Sequence, residues 1–122
     1  PQAGSDAAAL RCAAVPTDSG YVINGSKSWI THGGLADFYT LFARTGEGSR
    51  GISCFLIPAD LPGLSFGKPE EKMGLAAVPT TSAFYDQAVV EADRRTARSR
   101  SGPLRTATWF RWASDPEVAA LV

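Results

Sequence analysis

Trp29 and Thr31 are the residues whose types and spacing suggest chemistry. A large flat indole and a hydroxyl stand two positions apart in the stretch Trp29-Ile30-Thr31-His32-Gly33-Gly34. On an extended chain, positions two apart project to the same side. An indole can pack against a planar heteroaromatic ligand while a hydroxyl hydrogen-bonds its edge. Gly33-Gly34, directly after, lets the backbone turn sharply or lets a ligand approach closely. The alternative reading is that Trp29 fills a core between two sheets, as large apolar side chains commonly do. His32 is the only histidine. It has no second histidine or carboxylate trio to form a metal site and reads as a polar turn residue.

The element that must position these residues is read as a β-hairpin. Two runs rich in aromatic and β-branched residues flank Asn24-Gly25, the pair favoured in two-residue type I′ turns. That turn pairs Ile23 with Ser26, Val22 with Lys27 and Tyr21 with Ser28. It puts Tyr21, Ile23, Ser26, Ser28 and Ile30 on one face, and Val22, Lys27, Trp29 and Thr31 on the other.

Elsewhere, short extended segments are separated by Gly, Pro, Asn and Asp. This predicts an all-β fold of six or seven strands, a small antiparallel β-barrel or two packed sheets. Ala8 to Val15 is the first strand, with Leu10, Cys12 and Ala14 alternating against Ala9, Arg11 and Ala13, while its alanine content makes helix a serious competitor on propensity alone. Thr17 to Gly20 is a turn, Phe38 to Thr45 a central strand, and Gly51 to Pro58 the next. Pro62-Gly63 suits the two central positions of a type II turn, with a short strand at Leu64 and Phe66. Glu70 to Pro79 is a long loop, Thr80 to Tyr85 a strand, and Val89-Val90 a last short one.

At 122 residues, 44% hydrophobic and 20% charged, the chain has the composition of one globular domain or part of a larger protein. No apolar run approaches the ~20 residues of a membrane span. Cys12 and Cys54, without a CxxC partner, read as buried free thiols, which fits a reducing, cytoplasmic setting. The net charge of zero conceals a split. Residues 1 to 93 carry six basic and ten acidic groups, whereas 94 to 122 carry six arginines against Asp115 and Glu117.

Six motifs occur together in order: Pro1-Gln2-Ala3-Gly4-Ser5-Asp6, Asn24-Gly25 with Lys27, Trp29 to Gly34, Phe55-Leu56-Ile57-Pro58, Pro62-Gly63-Leu64 and Lys72-Met73-Gly74. In order and spacing, residues 1 to about 93 resemble the middle, β-barrel domain of the acyl-CoA dehydrogenases. The resemblance implies FAD as cofactor, with Trp29, Ile30 and Thr31 against the isoalloxazine ring and the threonine hydroxyl near N5. It implies that Gly4 and Ser5 contribute to the flavin site, and that Ser5 and, more weakly, Ser49 touch the acyl-CoA. Asp6 is expected to fix its loop by bonding backbone amides. The implied partners are an acyl-CoA thioester and an electron acceptor such as an electron-transfer flavoprotein, with intact relatives forming homodimers or homotetramers.

The resemblance also has limits. The family's Thr-Glu pair would precede Pro1, and its N- and C-terminal helical domains match nothing here. The C-terminal domain supplies the glutamate that removes the substrate α-proton, so no residue of this chain is nominated as catalytic and none as a metal ligand. The expectation is a fragment of a flavin-dependent acyl-CoA dehydrogenase that forms one wall of the site and is inactive alone. A stand-alone β-barrel that binds a ligand or partner without chemistry is the alternative.

From residue 96 the family pattern, the charge balance and the hydrophobic period all stop together. Residues 94–122 are read as an unmatched, irregular basic tail, either disordered or the product of a frame shift in a GC-rich gene. Its Trp109, Phe110 and Trp112 could stack on single-stranded nucleic acid, but the frame shift accounts for the Arg/Ser/Ala/Pro-rich composition, and no nucleic-acid partner is expected.

Overall fold

A computed structural model describes residue 3 and residues 6–48 and 50–98. Seven strands follow in chain order: β1 Ala13–Pro16, β2 Gly20–Thr31, β3 Phe38–Arg44, β4 Ile52–Pro58, β5 Leu64–Phe66, β6 Thr80–Glu91 and β7 Arg95–Arg98. Among the described residues the only helical pieces are two three-residue 3-10 turns. The expected all-β class is found. The strands form one sheet of order β5-β6-β2-β1-β3-β4-β7. Every pairing is antiparallel except β1 with β3, which is parallel and rests on Ala13 opposite Arg44. The sheet extends to Arg98, beyond the boundary at 93 read from the sequence.

Side-chain alternation explains which face is buried. Along β3, Tyr39, Leu41 and Ala43 are buried while Phe38, Thr40 and Phe42 face outward. Leu10, Cys12 and Ala14 are likewise buried, as the alternation in the first segment predicted, although the regular strand begins only at Ala13. Ring contacts show the sheet curling over on itself. Tyr21 of β2 meets Phe55 of β4 edge-on at 5.1 Å, and Tyr39 of β3 meets Phe66 of β5 at 5.1 Å. Neither pair belongs to neighbouring strands, so the inner face encloses one core. Phe55 and Ile57 sit fully inside it, and burial of each contributes about 1.5–3 kcal/mol.

The expected hairpin at Asn24-Gly25 is not formed. The turn is made earlier, at Thr17–Gly20, where Thr17 N–H donates to Gly20 O at 2.9 Å and Gly20 N–H donates to Thr17 Oγ1 at 3.2 Å. β2 then runs unbroken for 12 residues. Ile23 pairs with Ala14 and Ala88, and Ser26 with Phe84, in place of the predicted Ile23–Ser26 partnership. The local preference of Asn-Gly yields here to pairing with strands on both sides. Gly25 still needs to be glycine: its φ is +137°, and a Cβ there would lie 2.8 Å from Cys12 Cα.

Two irregularities replace the turn. At the first, Asn24 stands opposite both Asp86 and Gln87, so β6 carries the extra residue. The two short strands predicted at Thr80–Tyr85 and Val89–Val90 are therefore one bulged strand. At the second, Ser28 and Trp29 stand opposite Ser82 alone. The faces shift accordingly. Lys27 pairs with buried Ala83 and so points inward with Tyr21 and Ile23, not outward with Val22 as the hairpin required. The Pro62-Gly63 turn is as predicted, with Gly63 at φ +87° and Leu64 N–H bonded to Leu61 O at 3.0 Å.

Candidate functional site

Trp29 and His32 adopt left-handed backbone conformations, φ 61° and 55°, on either side of Ile30-Thr31. Such conformations cost a non-glycine residue about 1–3 kcal/mol and concentrate where structure serves a ligand. Ile30 turns inward and packs on the core opposite buried Thr81. Trp29 remains 69% exposed and Thr31 is exposed. Both residues are thus accessible, reached through a β-bulge and not through a hairpin. The reading of Trp29 as core filler does not hold.

The turn after the wall is pinned from inside. The Tyr39 hydroxyl accepts from Gly34 N–H at 2.8 Å and donates to His32 O at 3.1 Å. His32 N–H also donates to Pro79 O at 2.8 Å, which ties the turn to the residue preceding β6. Thr81 Oγ1, fully buried, donates to Gly67 O at 2.7 Å and fixes the neighbouring connection. His32 is therefore the turn residue that the sequence suggested. Among the described residues no group of three His, Cys, Asp or Glu is placed to hold a metal ion.

Behind the wall lies a cleft of about 420 Å³. β1 reaches β3 only at Arg44, so Lys27–Thr31 of β2 and Phe38–Phe42 of β3 have no ladder between them. Lys27, Ile30, Thr31, Tyr39, Leu41 and Tyr85 are among its lining residues. Burial lowers the Lys27 ammonium below the ordinary lysine value, partly countered by the Cys12 thiol, and burial raises Cys12 in turn. Tyr85 is raised well above the usual phenol range by burial, then by Cys12 and Tyr39, so it stays protonated.

Gly4, Ser5 and Ser49 lie outside the described residues. Their flanks, however, meet at one guanidinium. Arg44 donates from Nε to Leu10 O at 2.8 Å, from Nη2 to Ala8 O at 2.5 Å, and from Nη1 to Gly46 O and Gly48 O at 3.1 and 2.9 Å. Its backbone N–H also bonds Cys12 O at 2.7 Å. Asp6 accepts from Ala8 N–H at 3.0 Å, the loop-fixing role expected of it. Sequence reasoning missed Arg44, because a lone arginine ending an apolar strand carries no motif.

An exposed indole and an exposed threonine thus flank Ile30 beside a bulge on an all-β domain. The family model for the acyl-CoA dehydrogenase middle domain matches residues 1–88, and the chain belongs to that family. Mitochondrial isobutyryl-CoA dehydrogenase of Bos taurus is 45% identical over 96 residues, which is 78% of this chain and 23% of that protein. Butyryl-CoA dehydrogenase from Megasphaera elsdenii has a TM-score of 0.76 and 37% identity, covering 84% of this chain and 27% of its own. A glutaryl-CoA dehydrogenase from Mycobacterium smegmatis, solved in complex with FADH2, has a TM-score of 0.73 and 34% identity, with 84% and 26% covered. The chain spans about a quarter of the length of the relatives it matches.

Proposed function

We propose that this chain supplies one wall of the FAD and acyl-CoA site of a flavin-dependent acyl-CoA dehydrogenase that oxidises an acyl-CoA thioester between its α and β carbons. The observation that carries this reading is the exposed Trp29 and Thr31 pair, held by left-handed residues and lying within the family-matched segment. The residues fit the cofactor: an accessible indole face can pack on the isoalloxazine, and the Thr31 hydroxyl can bond its edge. Bound flavin would supply the hydride acceptor. Ile30 anchors the wall to the core. Gly4 and Ser5 are assigned to the flavin site, and Ser5 and Ser49 to the acyl-CoA. Reoxidation by an electron-transfer flavoprotein, assembly of the intact enzyme as a homodimer or homotetramer, and a reducing cytoplasmic setting belong to the same reading. Two buried free cysteines accord with it.

One wall does not hold the cofactor by itself. An indole face and one hydrogen bond offer about 1–3 kcal/mol, whereas immobilising a ligand costs at least ~4 kcal/mol. The α-proton also needs a positioned base. The test is to titrate the purified chain with millimolar FAD and follow the Trp29 indole and Thr31 amide by NMR, then desalt and assay dye reduction with several acyl-CoA lengths. Weak shifts centred on residues 29–31, with neither retained flavin nor turnover, are expected. Retained flavin with turnover would reveal a complete site, and shifts confined elsewhere would remove the wall.

The domain division is part of this proposal: residues 1–93 carry the wall, and the sequence from 96 onward is out of frame, although Arg95–Arg98 still pair with β4. The rest of the tail read at 94–122 lies outside the described residues. Reading the coding DNA beyond codon 95 in its other two frames decides the point. One of them should encode a Gly-rich turn followed by an apolar helix; if neither does, the tail has another origin.

A further inference from the structure

Three lysines occur in the chain, Lys27, Lys68 and Lys72, and their surroundings differ. Lys68 lies beside Glu71 at 3.8 Å and is largely exposed. Lys72 donates to Val78 O and to Thr80 Oγ1. Lys27 instead points from β2 into the cleft behind the wall, opposite buried Ala83. Among the cleft's lining residues there is no carboxylate. The titratable groups around it are Cys12 from the segment entering β1, Tyr39 of β3, Tyr85 of β6 and His32 of the turn.

We propose that Lys27 is a modification site: its amine takes the acyl group of an acyl thioester that enters the cleft. The choice of thioester as donor rests on the acyl-CoA reading above; the reactivity of the amine does not. About 420 Å³ is within the range of small-ligand clefts and accommodates a short acyl chain. Apolar side chains on the floor, Ile30 and Leu41, suit that chain. In the step, the neutral amine attacks the thioester carbonyl carbon. A C–N bond forms and the C–S bond breaks. The thiolate leaves and takes up the proton that the nitrogen loses, giving an amide and a free thiol. No oxidant or further reactant is needed.

Burial favours the uncharged amine at Lys27, the form that attacks, and desolvated lysines are activated in this way. Tyr85, kept protonated, offers a hydroxyl donor in the same cleft. Acylation would remove the one lysine charge in the cleft and occupy the space directly behind Ile30-Thr31, so the modified wall would differ from the unmodified one on its inner side.

The experiment incubates the purified chain with S-acetyl-N-acetylcysteamine, and separately with butyryl-CoA, between pH 6.5 and 9, and maps lysine acylation by peptide mass spectrometry. Label on Lys27 should form at least about threefold faster than on Lys68 or Lys72. Its rate should level off at a lower pH than theirs. Ala36→Leu, which narrows the cleft, should slow Lys27 labelling at least about threefold while Lys68 labelling is unchanged. Equal or faster labelling of Lys68, or no effect of Ala36→Leu, overturns the proposal. Fast labelling of Lys27 by the small thioester but not by butyryl-CoA supports the reactive amine and counts against the acyl-CoA reading of the wall.

Discussion

Asn24 holds Gln87 by two hydrogen bonds: its Oδ1 accepts from the Gln87 backbone N–H at 2.9 Å and from Gln87 Nε2 at 3.0 Å. The two residues are 63 positions apart in sequence, and the contact closes the β6 bulge opposite β2. Gln87 has φ 50°, a conformation that a non-glycine side chain resists. Asn24 supplies the acceptor that an ordinary ladder residue would have supplied.

Replacing Asn24 by alanine removes both bonds and leaves the bulge amide without a protein acceptor. A loss of about 1–2 kcal/mol is expected in urea unfolding. Asn24→Asp keeps an acceptor oxygen in place and should recover most of that loss. If the aspartate variant is no more stable than the alanine one, the acceptor role assigned to Asn24 is wrong.

The same pair shows what the sequence conveyed and what it withheld. Period-2 alternation around Leu10-Cys12-Ala14 marked an inner face, because burial repeats every second residue. Residues 38–45 are apolar on both faces in sequence, so the inward turn of Tyr39, Leu41 and Ala43 was not legible there. Pro62-Gly63 marked its turn because glycine takes the positive φ that the turn requires. Asn24-Gly25 misled, since its conformational preference serves a bulge as well as a hairpin. Which of the two forms depends on β6, whose pairing lies about 60 residues away and leaves no trace in a local window. Trp29 and Thr31 were legible as a motif, and both are exposed. The inward direction of Lys27 was not legible, because a continuous strand in place of the turn reverses the faces that follow it until the bulge at Ser28-Trp29 shifts them back. The parallel β1–β3 contact and the Arg44 clamp are likewise products of tertiary pairing.

Arg44 joins the segment before β1 to the β3–β4 connection through four side-chain donations. Arg44→Ala should cost about 2–4 kcal/mol, because several carbonyls lose a charged donor together. Arg44→Lys has no planar fork and should recover less than half of that. Amide exchange offers a finer readout: protection at Ala9 and at Thr45, Gly46 and Gly51 should fall in concert. Loss restricted to one of the two segments would show that the guanidinium does not couple them.

Lys27 makes stability depend on pH in a direction fixed by its burial. The folded protein holds this amine below the ordinary value of 10.5, so between the lowered value and 10.5 the unfolded chain binds more protons. Stability therefore rises with pH across that window. Below the lowered value both states are charged and the penalty is present in full. Cys12 acts oppositely: its folded value is raised above 9.0, so its contribution is complete below 9.0 and is lost as pH climbs through the raised value. Comparing the chain with its Lys27→Met variant cancels most of the cysteine contribution, since Cys12 is present in both. The wild-type chain should gain on the variant as urea unfolding is repeated from pH 7 to pH 10. A difference that stays constant over that range, or that shrinks, would place the ammonium in solvent and remove the inward-facing lysine on which the cleft chemistry rests.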